Sequence, residues 1–468
     1  MTEFRVVGTV PSDVDIVAHP VPRGTPTDLL PAGFLAGVDF DGSLGQVVVA
    51  PETVLFGLGD DGEADLRHAA GELARAVAGF DRVAVVLPPG GVRAAVEGMV
   101  LGGYQFTRYK TAGGTAPSRV DLVCPDAGGL AEGLAVARAV CLARDLVNEP
   151  GETLTPVEFA HRAQALARAN GFDCEVWDEH RIADERLGGL LGVSRGSPRP
   201  PRLVRLRYRP PPGDAPVIAL VGKGVTYDSG GLSLKPTPQM VDMKADMAGA
   251  AAVLAAVSAL AELSCPVGVD AWLPLTENMP NADPVRVGDV LRLRGGTTVE
   301  VRNADAEGRL ILADALTLAC ESGPAAVLDL ATLTDAAAIA LGREFAAVMG
   351  DQPLVDRVLR AAALAGEPLW QLPLPARYRR QLASGVADLV NYTTGVRHGT
   401  ALLAGLFLRE FVAADVPWAH LDLQGPALAE RTCGESVTGA TGYGTRLLIE
   451  LLAGTGPNCC QSWPQYCE

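Results

Sequence analysis

The sequence predicts an α/β protein of two domains, a smaller N-terminal one and a larger C-terminal one. Three observations carry this. The chain has 468 residues, more than one ordinary compact core accommodates. Short β-branched runs alternate with Ala-rich helical stretches, the pattern of strand and helix in turn around a mainly parallel sheet. One long helical stretch then runs into the breaker "EPGETLTP". The expected layout is an N-terminal domain over 1–127, a linking helix and hinge over 128–155, a second domain over 156–455, and a tail of unknown role over 456–468.

In the first domain "QVVVAPETVLFGL" and "RVAVVLPP" read as strands, and "EADLRHAAGELARAVAGF" and "GVRAAVEGMVLGGYQF" as helices. Apolar residues at helical spacing mark "GGLAEGLAVARAVCLARDLVN" as the link. Beyond it, "PVEFAHRAQALARANG" is helical and "PVIALVGKGVTYD" a buried strand running into a loop. The Ala-rich "MAGAAAVLAAVSALAEL" is too short and too weakly apolar to span a bilayer, so it reads as a core helix. The hairpin-like "DVLRLRGGTTVEVRN", the helix "EGRLILADALTLACES" and the strand "AAVLDLATLT" follow. Ligands in open α/β sheets sit where such strands end.

Composition narrows the function. A net charge of −16 excludes a basic surface for nucleic acid or anionic membrane. The N-terminal "MTEFRVVGTVPSDVD" lacks the basic leader and apolar core of a signal peptide, and nine cysteines lie scattered without metal spacing, so a cytoplasmic protein is expected. The tail "NCCQSWPQYCE" holds three of them, Cys459, Cys460 and Cys467.

The densest polar chemistry lies in two segments. "VGKGVTYDSGGLSLKPTPQMVDMKADM" carries Lys223, Asp228, Lys235 and Asp246, and "NADAEGRL" carries Asp305, Glu307 and Arg309. Charges this close to apolar strands must pair with one another or hold a metal. Four carboxylates with a lysine could hold two divalent cations, and hard oxygen donors suit Mn, Mg or Zn. A second reading starts from "DSGG", which surrounds the nucleophile of many serine proteases. Ser229 would then need an oriented base, yet none of the six histidines is identifiable as one, and no G-x-S-x-G elbow surrounds it. HExxH is absent, and Gly222-Lys223-Gly224 fits neither a P-loop nor a dinucleotide fingerprint.

These segments, with "MKADMAGAAAV", "NADAEGRLILADAL" and "DLATLT" in order and spacing, resemble the leucyl aminopeptidases, the dinuclear M17 metallopeptidases. "AVEGMVLGGYQFTRYKT", "RDLVNEPGETLTP" and "ATGYGTRLLIELL" extend the resemblance over most of the chain. It implies that residues 156–455 form the catalytic domain, on a central mixed sheet. It implies Lys223, Asp228, Asp246, Asp305 and Glu307 as ligands of two divalent ions (Zn, Mn or Mg), and Lys235 and Arg309 as catalytic cations. All seven positions hold the family's residue. A metal-bridged hydroxide would be the nucleophile and peptides with a free N-terminus the substrates. Arg309 cannot serve as a base and would hold a bicarbonate. A homohexamer with its sites facing an internal cavity is the implied assembly.

The sequence departs from the family at the pocket for the substrate's first side chain, where "ATLTDAA" puts Asp335 in place of a glycine. Asp335 either narrows and polarises that pocket, or turns to solvent or caps the following helix. Met243, Thr332 and Leu333 hold neighbouring pocket positions, while Tyr227 and Ala304 are milder changes. The expected function is therefore a metal-dependent aminopeptidase. Its narrower variant trims one dedicated peptide, such as a natural-product precursor. An idle scaffold is the competing class.

Overall fold

The structure, a computed structural model, describes residues 2–60, 62–211, 215–395 and 398–454; the tail 456–468 and its cysteines lie outside the described residues. The chain divides into two compact units. One comprises Met1–Cys141 with Ala429–Thr441, the other Leu142–Leu428 with Gly442–Glu468. The division falls inside the helix Leu130–Asn148, within the stretch expected to link the domains. Ala429–Thr441 lies in the first unit, although the sequence expectation placed it inside the second domain.

The first unit is built on a six-stranded sheet in the order Glu3–Val7, Arg119–Val123, Arg82–Val86, Ile16–Val21, Thr53–Gly57, Val47–Val49. All its pairings are parallel except the last, where a short connection returns the chain antiparallel. Helices Glu63–Ala76 and Val92–Gly102 follow their strands, as the alternation predicts. They touch backbone to backbone: a Cβ on Gly102 would sit 2.4 Å from Gly71 Cα.

The second unit centres on a nine-stranded mixed sheet. Four adjacent strands, Trp418–Asp422, Ala326–Ala331, Val217–Gly222 and Gly268–Asn278, run parallel to one another. Their carboxyl ends therefore share one edge. Parallel strands covered on both faces carry unbroken apolar runs, and every residue of Gly268–Asn278 is buried. The helix Ala248–Ala259 is apolar all round and buried at every position but Ser258. Small residues let it lie against the sheet; a Cβ on Gly249 would come within 2.0 Å of Leu330 O. The helix Gly308–Glu321 is buried along most of its length. Among the described residues no helix is long and apolar enough to cross a membrane.

The single strand expected over 216–228 is in fact two, Val217–Gly222 and Gly224–Asp228, interrupted at Lys223. Both halves pair with Gly268–Asn278, the first at its start and the second at its end. At the break the Lys223 N–H donates to Leu330 O and the Lys223 carbonyl accepts from Ala250 N. The backbone stays satisfied while the side chain leaves the plane of the sheet.

Candidate metal centre

Six of the seven predicted residues meet at the shared edge where the four parallel strands end, and the seventh, Arg309, follows Glu307 by two residues. Lys223 follows Gly222 at the strand break, and Asp228 closes the next strand. The chain then turns through Gly230 and Gly231, whose φ angles are +87° and +59°. That left-handed backbone favours glycine, and at Gly230 a Cβ would also lie 2.8 Å from Asp305 Oδ1. The turn brings Lys235 back over Asp228. Asp246 ends the helical turn Met243–Ala245 just before the Ala-rich helix, and Asp305 and Glu307 lie on the loop that opens the helix Gly308–Glu321.

The side chains converge. Ligand atoms of Asp228, Asp305 and Glu307 lie within 4.8 Å of one another. Lys223 Nζ stands 2.7 Å from Asp246 Oδ1 and 3.0 Å from Glu307 Oε1, and donates to Thr332 O at 2.8 Å. Lys235 Nζ is 2.8 Å from Asp228 Oδ2 and also pairs with Asp305. Four carboxylates thus share two ammonium groups in a place where unpaired charge is costly, closed to water except on the side of Lys235 and Asp305. The Oδ2 of Asp246 is buried with no hydrogen-bond partner. An anionic, partly unsatisfied oxygen cluster with an amine beside it fits divalent cations.

Burial leads every proton affinity here, and it favours neutral acids. It lifts Asp246 well above the usual carboxylate range and raises Asp228, against the pull of the lysines. Asp305 is pushed up to about 7 by burial, reinforced by the charges of Asp228 and Glu307. Glu307 goes the other way, because Lys223 and Lys235 outweigh its burial and hold its carboxyl below the usual range. Burial opposes both ammonium charges, yet Asp246 and Glu307 around Lys223, and Asp228, Glu307 and Asp305 around Lys235, raise them both.

Arg309 lies in the first turn of its helix, buried, with Nη1 donating to Asn391 O at 2.9 Å and Nε without a partner. Desolvation pulls its guanidinium down to about 10, which keeps it cationic at neutral pH. Ser229 is buried, and its hydroxyl donates to Asn278 O at 2.7 Å. That proton is committed to a main-chain carbonyl, and the Ser229 hydroxyl oxygen in turn accepts from the Gly231 N–H at 3.3 Å. The serine shapes the turn.

Among the expected pocket residues, Thr332 is inside the cluster, with Oγ1 donating to Asp246 Oδ1 at 2.9 Å. Leu333 packs against the core and its N–H donates to Asp422 Oδ1. Met243 is half-buried at the start of its helical turn. Asp335 is exposed and does not cap the helix Asp335–Leu341. Thr334 does, its Oγ1 accepting from Ala337 N, because the cap lies one residue earlier than expected.

Three residues at the site carry no signal in the sequence. Asn278, last in its strand, donates through Nδ2 to Asp228 Oδ1 at 2.8 Å and Ala304 O at 3.0 Å, with Glu307 Oε2 at 3.4 Å. Asn391 holds the 303–306 loop through Nδ2 bonds to Asn303 O and Ala306 O. Gly308 leaves the space that Lys223 occupies; a Cβ there would lie 2.4 Å from Lys223 Cε. Each is a lone residue that no charge or spacing marks out.

The chain is similar to known proteins over most of its length. Residues 141–449 match the catalytic domain of the cytosol aminopeptidase family, and residues 35–113 match that family's N-terminal domain. The probable cytosol aminopeptidase of Leifsonia xyli subsp. xyli is 46% identical over 448 residues, covering 92% of this chain and 90% of the relative. That of Nocardia farcinica is 48% identical over 399 residues, covering 83% and 78%. Among solved structures, the bottromycin maturation enzyme BotP in complex with Mn superposes with a TM-score of 0.88 at 44% identity, covering 93% of this chain and 98% of that one. Both domains match in order, over most of the length of the relatives, so this chain belongs to the cytosol aminopeptidase family, whose members hydrolyse peptide bonds.

Proposed function

We propose that the chain is a dinuclear metal-dependent aminopeptidase that removes the first residue from peptides with a free N-terminus. The observation that carries this is the convergence of Asp228, Asp305 and Glu307 within 4.8 Å, with Lys223 and Asp246 bonded into the same cluster. Asp228, Asp246, Asp305, Glu307 and the neutral amine of Lys223 would hold two ions, Mn or Zn. When bound, such ions turn water into a nucleophile at neutral pH and polarise the scissile carbonyl.

The chain's own groups do the rest. Lys223 must give up its proton to ligate, so ion binding displaces protons. Lys235 places positive charge beside the cluster, where negative charge develops on the attacked carbonyl. Arg309, permanently cationic, cannot take a proton and instead holds a small anion such as bicarbonate to shuttle it. Asn278 fixes the orientation of Asp228 through its side-chain amide. The relatives' name extends the proposal to a cytosolic location, and the family resemblance to a homohexamer.

Aminoacyl amides and their N-acetylated counterparts, assayed after chelation and after return of Mn²⁺ or Zn²⁺, test this reading. Activity should vanish with the chelator, return with the ion and be absent on every acetylated substrate. Unimpaired cleavage in the chelator, or cleavage of acetylated substrates, contradicts it.

A narrower reading, the trimming of one dedicated peptide, is favoured by two observations. BotP, at 44% identity, is a maturation enzyme, and Asp335, the residue that departs from the family's glycine, is exposed directly after the Thr334 cap. A carboxylate there disfavours apolar first residues. Asp335→Gly should shift the ranking across an aminoacyl panel towards them by about 1–3 kcal/mol; an unchanged ranking removes Asp335 from the pocket.

A further inference from the structure

The first unit holds a second cluster of ligating side chains, unrelated to the peptidase centre. His68 and Glu72 sit four residues apart on the helix Glu63–Ala76 and so share one face. Cys433 reaches them from the returning segment Ala429–Thr441, which belongs to the same unit. Ligand atoms of the three lie within 4.8 Å of one another. His68 Nε2 and Cys433 Sγ are 3.8 Å apart. A sulfur and a nitrogen on one tetrahedral zinc, with bonds of about 2.3 and 2.1 Å, are separated by about 3.6 Å, so this pair already stands at ligand spacing.

The surroundings hold the donors in place. Cys433 and Ser436 exchange both backbone hydrogen bonds, closing a tight turn around Gly434. Gly434 has φ +57°, and a Cβ there would lie 2.3 Å from His68 Nδ1. Only glycine lets the turn approach the ring so closely. The Gly434 N–H donates to Glu72 Oε1 at 2.6 Å, and the Gly434 carbonyl accepts from Arg75 Nη1 at 2.7 Å. Arg75 also pairs with Glu72 Oε1 at 2.7 Å. A carboxylate that ligates through one oxygen keeps the other for such outer bonds, which set its orientation.

We propose that His68, Glu72 and Cys433 form a three-ligand zinc site that pins the segment Ala429–Thr441 to the helix Glu63–Ala76. Thiolate and imidazole select zinc, whereas the peptidase centre offers carboxylates and an amine. Cys433 is exposed and half-exposed His68 and Glu72 complete an open side, so water takes the fourth position.

Cobalt substitution distinguishes this site from the catalytic one, which has no sulfur donor. The full chain, stripped of metal and loaded with Co²⁺ alone, should show a near-ultraviolet thiolate-to-cobalt band. That band should disappear in Cys433→Ser and in His68→Gln, each binding about one ion fewer per chain. It should survive the combined Cys459→Ser, Cys460→Ser and Cys467→Ser changes in the tail. Mn²⁺-supported peptidase rates, expected near those of the parent, verify that each variant is folded. Absence of the band from the parent overturns the proposal. So does its persistence in Cys433→Ser or His68→Gln, or its loss with the tail cysteines.

Discussion

Gly308 shows how finely the centre is set at the scale of single residues. Its missing side chain is the room in which the Lys223 stem lies. A methyl group there meets the end of a flexible chain, so the fold tolerates it while the Lys223 amine moves. Gly308→Ala should therefore leave the melting temperature within a few degrees of the parent. It should lower kcat/KM on the order of tenfold to a hundredfold, since small displacements of positioned groups cost that much; an unchanged rate means Lys223 is not a ligand. Residues that carry charge in a motif are legible in the sequence, because desolvated acids and lysines must cluster to survive burial. Asn278, Asn391 and Gly308 are not, because an uncharged amide or a glycine declares its partner only in three dimensions. The cap falls to Thr334 and not to Asp335 because both are good N-caps, and backbone geometry chooses between them.

At the scale of elements, periodicity locates the strands and helices but not the break at Lys223. An apolar run reads the same whether the strand continues or kinks. The helix Gly308–Glu321 carries another buried acid, Asp314, which accepts from Leu190 N and Arg294 N at 2.9 and 2.8 Å. Burial, only partly offset by those bonds, pushes its carboxyl up to about 7. The folded-state value lies above the unfolded one. Its contribution to stability is therefore present in full below about pH 4 and is lost as the pH rises through 7. Asp314→Asn removes that titration. Denaturant melts of both proteins between pH 4 and 8 should show the variant gaining on the parent as pH rises, by up to about 4 kcal/mol. A constant difference across the range would place no titrating charge at Asp314.

At the scale of the whole molecule, two α/β units and a centre at parallel strand ends follow from alternation and from where polar residues break apolar strands. The return of Ala429–Thr441 to the first unit leaves no trace in the sequence, because the segment has neither helical nor strand periodicity. The cluster of His68, Glu72 and Cys433 is hidden in a similar way, because Cys433 lies far along the chain from the helical pair it joins.

The central claim is that Lys223, Asp228, Asp246, Asp305 and Glu307 enclose a pair of divalent ions. Anomalous diffraction from Mn²⁺-soaked crystals tests it most directly. Two peaks about 3.5–4 Å apart among those five side chains are the predicted result. A single peak, or none within bonding reach of Asp228 and Glu307, would contradict it.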